Sequence, residues 1–67
     1  MNIVLNLDKL KEARKGKKLS QDDMAKALGW KSRSKYSKRE NGIVSIGASE
    51  LAIIAKKLGC DMEYFFD

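Results

Sequence analysis

Five cationic side chains lie within nine residues near the middle of the chain: Lys31, Arg33, Lys35, Lys38 and Arg39. Ammonium and guanidinium groups bind phosphate oxygens, and a guanidinium also fits the O6 and N7 acceptors of guanine. Such a cluster is typical of a surface that binds a polyanion. From charge alone, a lysine-rich surface that only faces water is an equally good interpretation. The secondary structure that positions these side chains is therefore needed to distinguish a polyanion-binding surface from a solvated one.

The charge of the whole chain is distributed unevenly. Its 67 residues carry fourteen Lys and Arg against nine Asp and Glu, a formal net charge of +5. Residues 1–42 hold twelve of the cations and five of the acids, whereas residues 43–67 hold two cations and four acids. A domain with one basic side is the electrostatic pattern expected of a nucleic-acid-binding protein.

Composition argues against several other classes of protein. The chain has one cysteine, Cys60, and no histidine, so we expect no intramolecular disulfide, no metal site and no cofactor. It offers no nucleophile or paired acids suited to an enzyme. No apolar run approaches the roughly 20 residues of a membrane span, and the first residues lack the pattern of a signal peptide. We expect a single domain, residues 1–67, in a reduced, cytoplasmic environment.

Apolar spacing and capping residues predict an all-α fold of five short helices joined by tight turns. Residues 1–7 are rich in β-branched and aliphatic side chains and predict a short strand or extended arm. The first helix should begin near Asn6 to Asp8 and end near Gly16. The fourth should span residues 47–58, and Asp61 should cap a short fifth helix.

The centre of the chain predicts two helices separated by a glycine turn. Ser20, with Asp23 three residues later, has the pattern of an N-cap, and Gly29 should end the second helix in a left-handed conformation. Ser32 should cap the third helix. This order of elements, over about residues 20–41, is the sequence form of a helix-turn-helix, which presents its second helix to the major groove of DNA.

Two further features orient the third helix. Tyr36 lies four residues after the expected cap and should point into the core, which turns the charged faces of the helix outward. Arg14 falls on the apolar side of the first helix, and Glu40 lies four residues after Tyr36. Because a lone buried charge is costly, we predict that Arg14 and Glu40 form a structural ion pair.

The chain resembles the Cro and phage-repressor type of helix-turn-helix, the XRE-like family, over nearly everything after residue 7. The matching elements, in order, are Leu19-Ser20-Gln21, Ala25, Leu28-Gly29, Tyr36-Ser37, Glu40-Asn41-Gly42, Leu51, Ile54-Ala55, Leu58-Gly59 and Phe65-Phe66. Each is weak alone, but their combined order and spacing is specific. The resemblance implies a lambda-repressor-like fold and a double-stranded DNA partner.

The resemblance also assigns residues to roles. It implies that Arg33, Ser34 and Lys38 face the edges of DNA bases. It implies that the DNA backbone is contacted by a second set: Gln21, Lys35, Ser37 and Asn41. The family places an Arg–Glu pair at the positions of Arg14 and Glu40, which agrees with the pairing inferred from their spacing.

The chain departs from the family pattern around the turn. Two residues, Trp30 and Lys31, stand between Gly29 and Ser32, where the commonest form has one. The third helix, which is the recognition helix of the motif, should therefore shift slightly. We interpret Trp30 as a plug over the turn, with a DNA-stacking role as the alternative. Arg39 occupies a usually apolar position, and we expect it to snorkel out of the core and add a phosphate contact.

Several apolar side chains that we expect to be exposed, outside the core, predict a symmetric contact between two copies of the chain. The candidates are Ile43, Val44, Ile46 and Ile53, with Ile3 and Leu5 as further members. A two-fold dimer places its two recognition helices about one DNA turn apart.

The family resemblance implies a sequence-specific transcription regulator. We expect a repressor of the phage or mobile-element type, bound as a homodimer to a near-palindromic operator at the nucleoid of a bacterial or phage-infected cell. Two alternatives remain: a DNA-binding antitoxin with a protein partner, or an interaction adaptor that keeps the fold without binding DNA.

Overall fold

The structure, a computed structural model, describes residues 4–66. In chain order it contains α1 (Leu7–Gly16), α2 (Gln21–Ala27), α3 (Arg33–Glu40), α4 (Ala48–Leu58) and a 3-10 helix (Met62–Phe65). The predicted all-α class is confirmed over these residues. Among them, no helix has the length and apolar character needed to cross a bilayer.

The predicted count of five α-helices is wrong in its last element. The segment after Asp61 is a single 3-10 turn, in which the Tyr64 amide donates to the Asp61 carbonyl at 3.0 Å and the Phe66 amide to the Glu63 carbonyl at 3.1 Å. Only four residues are available, which suits bonds to the third residue back. Asp61 stands at the N-cap position without a capping bond from its side chain.

The predicted N-terminal strand is reduced to one bridge in the described part of the chain. Leu5 pairs with Phe66 in an isolated antiparallel bridge, and the Asn6 amide donates to the Phe65 carbonyl. Asn6 then caps α1, because its Oδ1 accepts the amides of Asp8 and Lys9 at 3.0 and 3.1 Å. The helix starts too soon for a ladder to continue, and Ile3 lies outside the described residues.

The two helices of the predicted helix-turn-helix begin differently. At α2, Ser20 Oγ accepts the Asp23 amide at 3.0 Å and Asp23 Oδ2 accepts the Ser20 amide at 2.8 Å, a complete capping box. Gly29 follows α2 with φ +77°, the left-handed conformation expected of it. The side chain of Ser32 forms no capping bond at α3, and its hydroxyl donates to Ser34 Oγ at 3.3 Å.

The core lies where the four helices and the 3-10 helix meet. Its buried apolar members are Leu10, Met24, Ala25, Tyr36, Leu51, Ile54, Ala55, Leu58 and Phe65. Helix α2 packs against both α3 and α4, while α1 contacts α3 and the 3-10 helix. Because Ala25 is small, α2 can approach its neighbours closely and hold α3 at the surface of the domain.

Candidate nucleic-acid interface

Helix α3 has one side in the core and the rest at the surface. Tyr36 exposes none of its surface, whereas Arg33, Ser34, Lys35 and Lys38 are exposed and Ser37 is half-buried. The side chain that anchors α3 therefore turns a charged face outward, as the spacing predicts.

The three candidate base-reading residues lie on this exposed face. Within residues 4–66, neither Arg33 nor Lys38 forms an ion pair. Their charges are therefore not neutralised by the described part of the protein, and they remain available to a polyanion. Ser34 is engaged only at its hydroxyl, which accepts the bond from Ser32.

The candidate backbone-binding residues occupy separate places. Asn41 directly follows α3, and its Nδ2 donates to Ser37 Oγ at 3.2 Å, so these two are brought together. Gln21 starts α2, and its Nε2 lies 3.5 Å from Glu40 Oε1. Lys35 is drawn toward the turn, with its Nζ 5.0 Å from the centroid of the Trp30 ring.

Arg14 and Glu40, the ion pair predicted from the sequence, are in bidentate contact. Arg14 Nε donates to Glu40 Oε2 at 2.9 Å, and Nη2 donates to Oε1 at 3.0 Å. The remaining nitrogen, Nη1, donates to the Leu19 carbonyl at 2.8 Å. The side chains are only 10% and 1% exposed. One guanidinium thus joins α1, the end of α3 and the segment that leads into α2.

The surroundings of this pair shift two pKa values. Burial alone would raise the pKa of Glu40, but hydrogen bonds, chiefly from Arg14, hold it below its usual 4.5. Burial, and then the charge of Glu40, raise the pKa of Tyr36 well above 10. The Tyr36 hydroxyl lies near this carboxylate but completes no hydrogen bond of good geometry within the described chain. Glu40 is therefore ionised and Tyr36 protonated at neutral pH.

A second group of contacts, which the sequence does not predict, joins the turn to α3 and α4. Arg39 lies over the Trp30 ring, with its Cζ 4.4 Å from the ring centroid, and its Nε donates to Glu50 Oε1 at 2.9 Å. We call Trp30, Lys35, Arg39 and Glu50 the Trp30 clamp. The expectation that Arg39 snorkels outward is wrong, because its side chain is only 13% exposed and held by the clamp.

Part of the clamp had a signal in the sequence. Glu50 is the third residue after Gly47, the spacing of an acid that bonds back to a helix start, and its Oε1 accepts the Gly47 amide at 3.0 Å. That bond, together with Arg39, lowers the pKa of Glu50. The pairing with Arg39 had no comparable signal, because the two residues lie on different helices across an irregular loop.

The candidate dimer residues are exposed to different degrees. Ile43 is 73% exposed, and Val44 and Ile53 are also exposed, whereas Ile46 and Leu5 are half-buried against the core. Val44, Ile46 and Leu5 are among the residues that line a cavity of about 310 Å³. The loop after α3 therefore presents an apolar surface with a hollow beside it.

The fold and the exposed cationic helix define a helix-turn-helix DNA-binding domain. A family model described as helix-turn-helix, HTH_3, matches residues 10–65, most of the chain. The chain belongs to this family, the Cro/C1-type, XRE-like helix-turn-helix proteins, which are DNA-binding transcription regulators. A search of curated proteins finds no match.

Replacing Glu40 by Ala should strongly destabilise the fold, because it leaves the Arg14 guanidinium buried without its anion. We expect a loss of about 3–5 kcal/mol in the free energy of unfolding, a large part of the roughly 3–10 kcal/mol that a domain of this size possesses. Thermal unfolding followed by circular dichroism measures the change. The control is Glu12→Ala, which removes an exposed acid of α1, and equal melting temperatures for the two variants would contradict the prediction.

The same pair predicts a loss of stability in acid. The folded-state pKa of Glu40 is below its usual 4.5, so its stabilisation is complete above that pH and is lost as pH falls through the folded-state value. Glu50 and Asp23, whose pKa values are also lowered, act in the same direction. In urea titrations at pH 6 down to about 2, stability should fall more steeply in the wild type than in Glu40→Gln. Parallel curves would rule out a role for Glu40.

Proposed function

We propose that this protein is a sequence-specific double-stranded DNA-binding repressor that acts as a dimer on a near-palindromic operator. The observation that supports this most directly is the orientation of α3. Its core side is fixed by Tyr36, while Arg33, Ser34 and Lys38 are exposed. A helix held in this way can enter the major groove as a rigid unit.

Base reading is assigned to the exposed face of α3. Arg33 is the first residue of α3, and in helix-turn-helix proteins the N-terminal residues of the recognition helix contact base edges. A guanidinium can donate two bonds to O6 and N7 of guanine, which is worth about 1–3 kcal/mol of discrimination. Lys38 offers a second cationic donor to guanine, and Ser34 a less selective hydroxyl.

Backbone binding is assigned to Gln21, Asn41, Lys35 and Ser37. A side-chain amide has two N–H donors, and Gln21 and Asn41 each use their nitrogen for one bond within the protein. The second donor of each amide has no partner among residues 4–66 and can reach a phosphate. Lys35 keeps an exposed ammonium beside Trp30 and adds attraction that does not depend on sequence.

Dimerisation is assigned to the apolar residues on the loop after α3 and on α4: Ile43, Val44, Ile46 and Ile53. Ile43 stands out from the surface beside the hollow that Val44 and Ile46 line, so two copies related by a two-fold axis can cover each other's apolar side chains. The bound dimer would cover its operator and so block polymerase. The same apolar surface makes a DNA-binding antitoxin, with a partner protein on it, the second candidate.

Selection from random duplexes tests the proposal. Repeated capture and sequencing should yield a consensus of two inverted half-sites whose centres lie about one DNA turn, roughly 10 base pairs, apart. An asymmetric or single half-site would contradict dimeric binding. Recovery of unselected sequence would contradict specific binding altogether, and would favour an adaptor that does not read DNA.

Substitutions on α3 should separate base reading from backbone binding. Arg33→Ala should weaken binding to the selected operator by about 5- to 150-fold and relax the preference at one base pair. Asn41→Ala should weaken binding to operator and unrelated duplexes alike. Fluorescence anisotropy at fixed salt measures both, with Lys31→Ala as a matched control that removes a cation outside α3. Equal losses on both duplexes for Arg33→Ala would exclude base reading by this residue.

The dimer contact is tested by placing a charge on it. Ile43→Asp should shift the chain toward monomers in sedimentation equilibrium, because two like charges would face each other across the two-fold axis. Operator binding should weaken with it, while thermal stability should change little, since Ile43 is exposed. A wild-type chain that stays monomeric on DNA would contradict the dimer. Copurification with a second small protein on this surface would favour the antitoxin.

A further inference from the structure

The Trp30 clamp connects three successive parts of the chain: the turn before α3, α3 itself and α4. Trp30 lies in the turn before α3, Arg39 lies in the last turn of α3, and Glu50 lies in the first turn of α4. The Arg39 guanidinium contacts both of the others, the ring at 4.4 Å and the carboxylate at 2.9 Å. These contacts are separate from the Arg14–Glu40 pair, which joins α3 to α1.

The start of α3 needs such a connection. The turn holds two residues between Gly29 and Ser32, and Ser32 gives α3 no side-chain cap. The ring of Trp30 instead lies under two side chains of α3 that are one helical turn apart, Lys35 and Arg39. The ring therefore packs against the side of α3 and connects the turn to the middle and the end of that helix.

Glu50 fixes the other end of the clamp. Its Oε1 accepts both the Arg39 Nε at 2.9 Å and the Gly47 amide at 3.0 Å, so it is anchored to the beginning of α4. Arg39 Nη1 donates back to the Lys35 carbonyl at 2.8 Å. With these bonds made, the guanidinium is turned toward the protein and links α3 to α4.

We propose that Glu50 is a positioning residue for DNA reading, which acts through Arg39 and Trp30 to set the orientation of α3 against α4. This inference rests on the proposed function, because an orientation matters only if α3 reads base edges. It gives Glu50 no contact with DNA. Glu50 is an acid in a protein that binds a polyanion, so a purely electrostatic role would oppose binding.

The inference is testable because removal of a negative charge and loss of α3 positioning change the affinity for the operator in opposite directions. Removing any surface acid raises the net positive charge by one and should strengthen binding to every duplex slightly. Loss of α3 positioning should instead weaken binding to the operator and leave unrelated duplexes unaffected. Glu63 is an exposed acid of the 3-10 helix, so Glu63→Ala makes the same change in charge without touching the clamp.

The experiment compares Glu50→Ala with Glu63→Ala on the selected operator and on an unrelated duplex, at fixed salt. Glu50→Ala should weaken operator binding by about tenfold, the equivalent of one lost base contact, and bind the unrelated duplex as tightly as Glu63→Ala does. Glu50→Gln should restore most of the operator affinity, because its amide oxygen can accept both bonds. Equal operator affinities for Glu50→Ala and Glu63→Ala would overturn the inference, as would a Glu50→Gln variant as weak as Glu50→Ala.

A second variant covers the case in which Glu50→Ala does not fold. Arg39→Met breaks the same pair from α3 while keeping an apolar stem, and Lys31→Met is its control for charge. Arg39→Met should lose operator affinity selectively, about tenfold more than Lys31→Met. Equal losses on operator and unrelated duplexes would show that Arg39 contacts phosphate, and would overturn the inference.

The wild type separates this inference from the proposed function. If the wild-type chain prefers no duplex, the proposed function and the positioning role both fail. If it prefers an operator but the paired variants do not differ, only the positioning role fails.

Discussion

The buried contact between Arg14 and Glu40 is the interaction on which the arrangement of this domain depends. Both charges are almost fully removed from water, and neither is tolerable there without the other. The guanidinium has its three nitrogens engaged, two with Glu40 and one with the Leu19 carbonyl. The pair therefore fixes α1, the entry to α2 and the end of α3 relative to one another. Apolar packing alone would leave these elements freer to slide.

Two consecutive residues at the end of α3 have opposite charges and pair with different helices. Arg39 bonds to α4 through Glu50, and Glu40 bonds to α1 through Arg14. An eight-residue helix with strongly polar composition is not stable alone in water. It persists here because Tyr36 anchors its middle and the two ion pairs hold its end. What remains of its surface is the exposed face that the proposed function assigns to DNA.

Much of this fold could be predicted from local chemistry. Ser20 with Asp23, and glycines at the ends of helices, set boundaries because the interactions involved lie within a few residues. The pairing of Arg14 with Glu40 is predictable because each is a charge on an apolar face. The form of the last helix is not predictable in this way, because its apolar spacing suits an α-helix and a 3-10 helix equally. The Trp30 clamp is not predictable from local sequence, because Arg39 and Glu50 come together only after the loop between α3 and α4 has folded.

The position of Trp30 has a practical consequence. It is the chain's single tryptophan, and its indole lies within about 5 Å of two cationic groups at the joint between the turn and α3. Indole emission depends on the local electric field, so a rotation of α3 away from the ring would alter the wavelength of its fluorescence. The natural chain thus contains an optical probe at this joint, with no label attached.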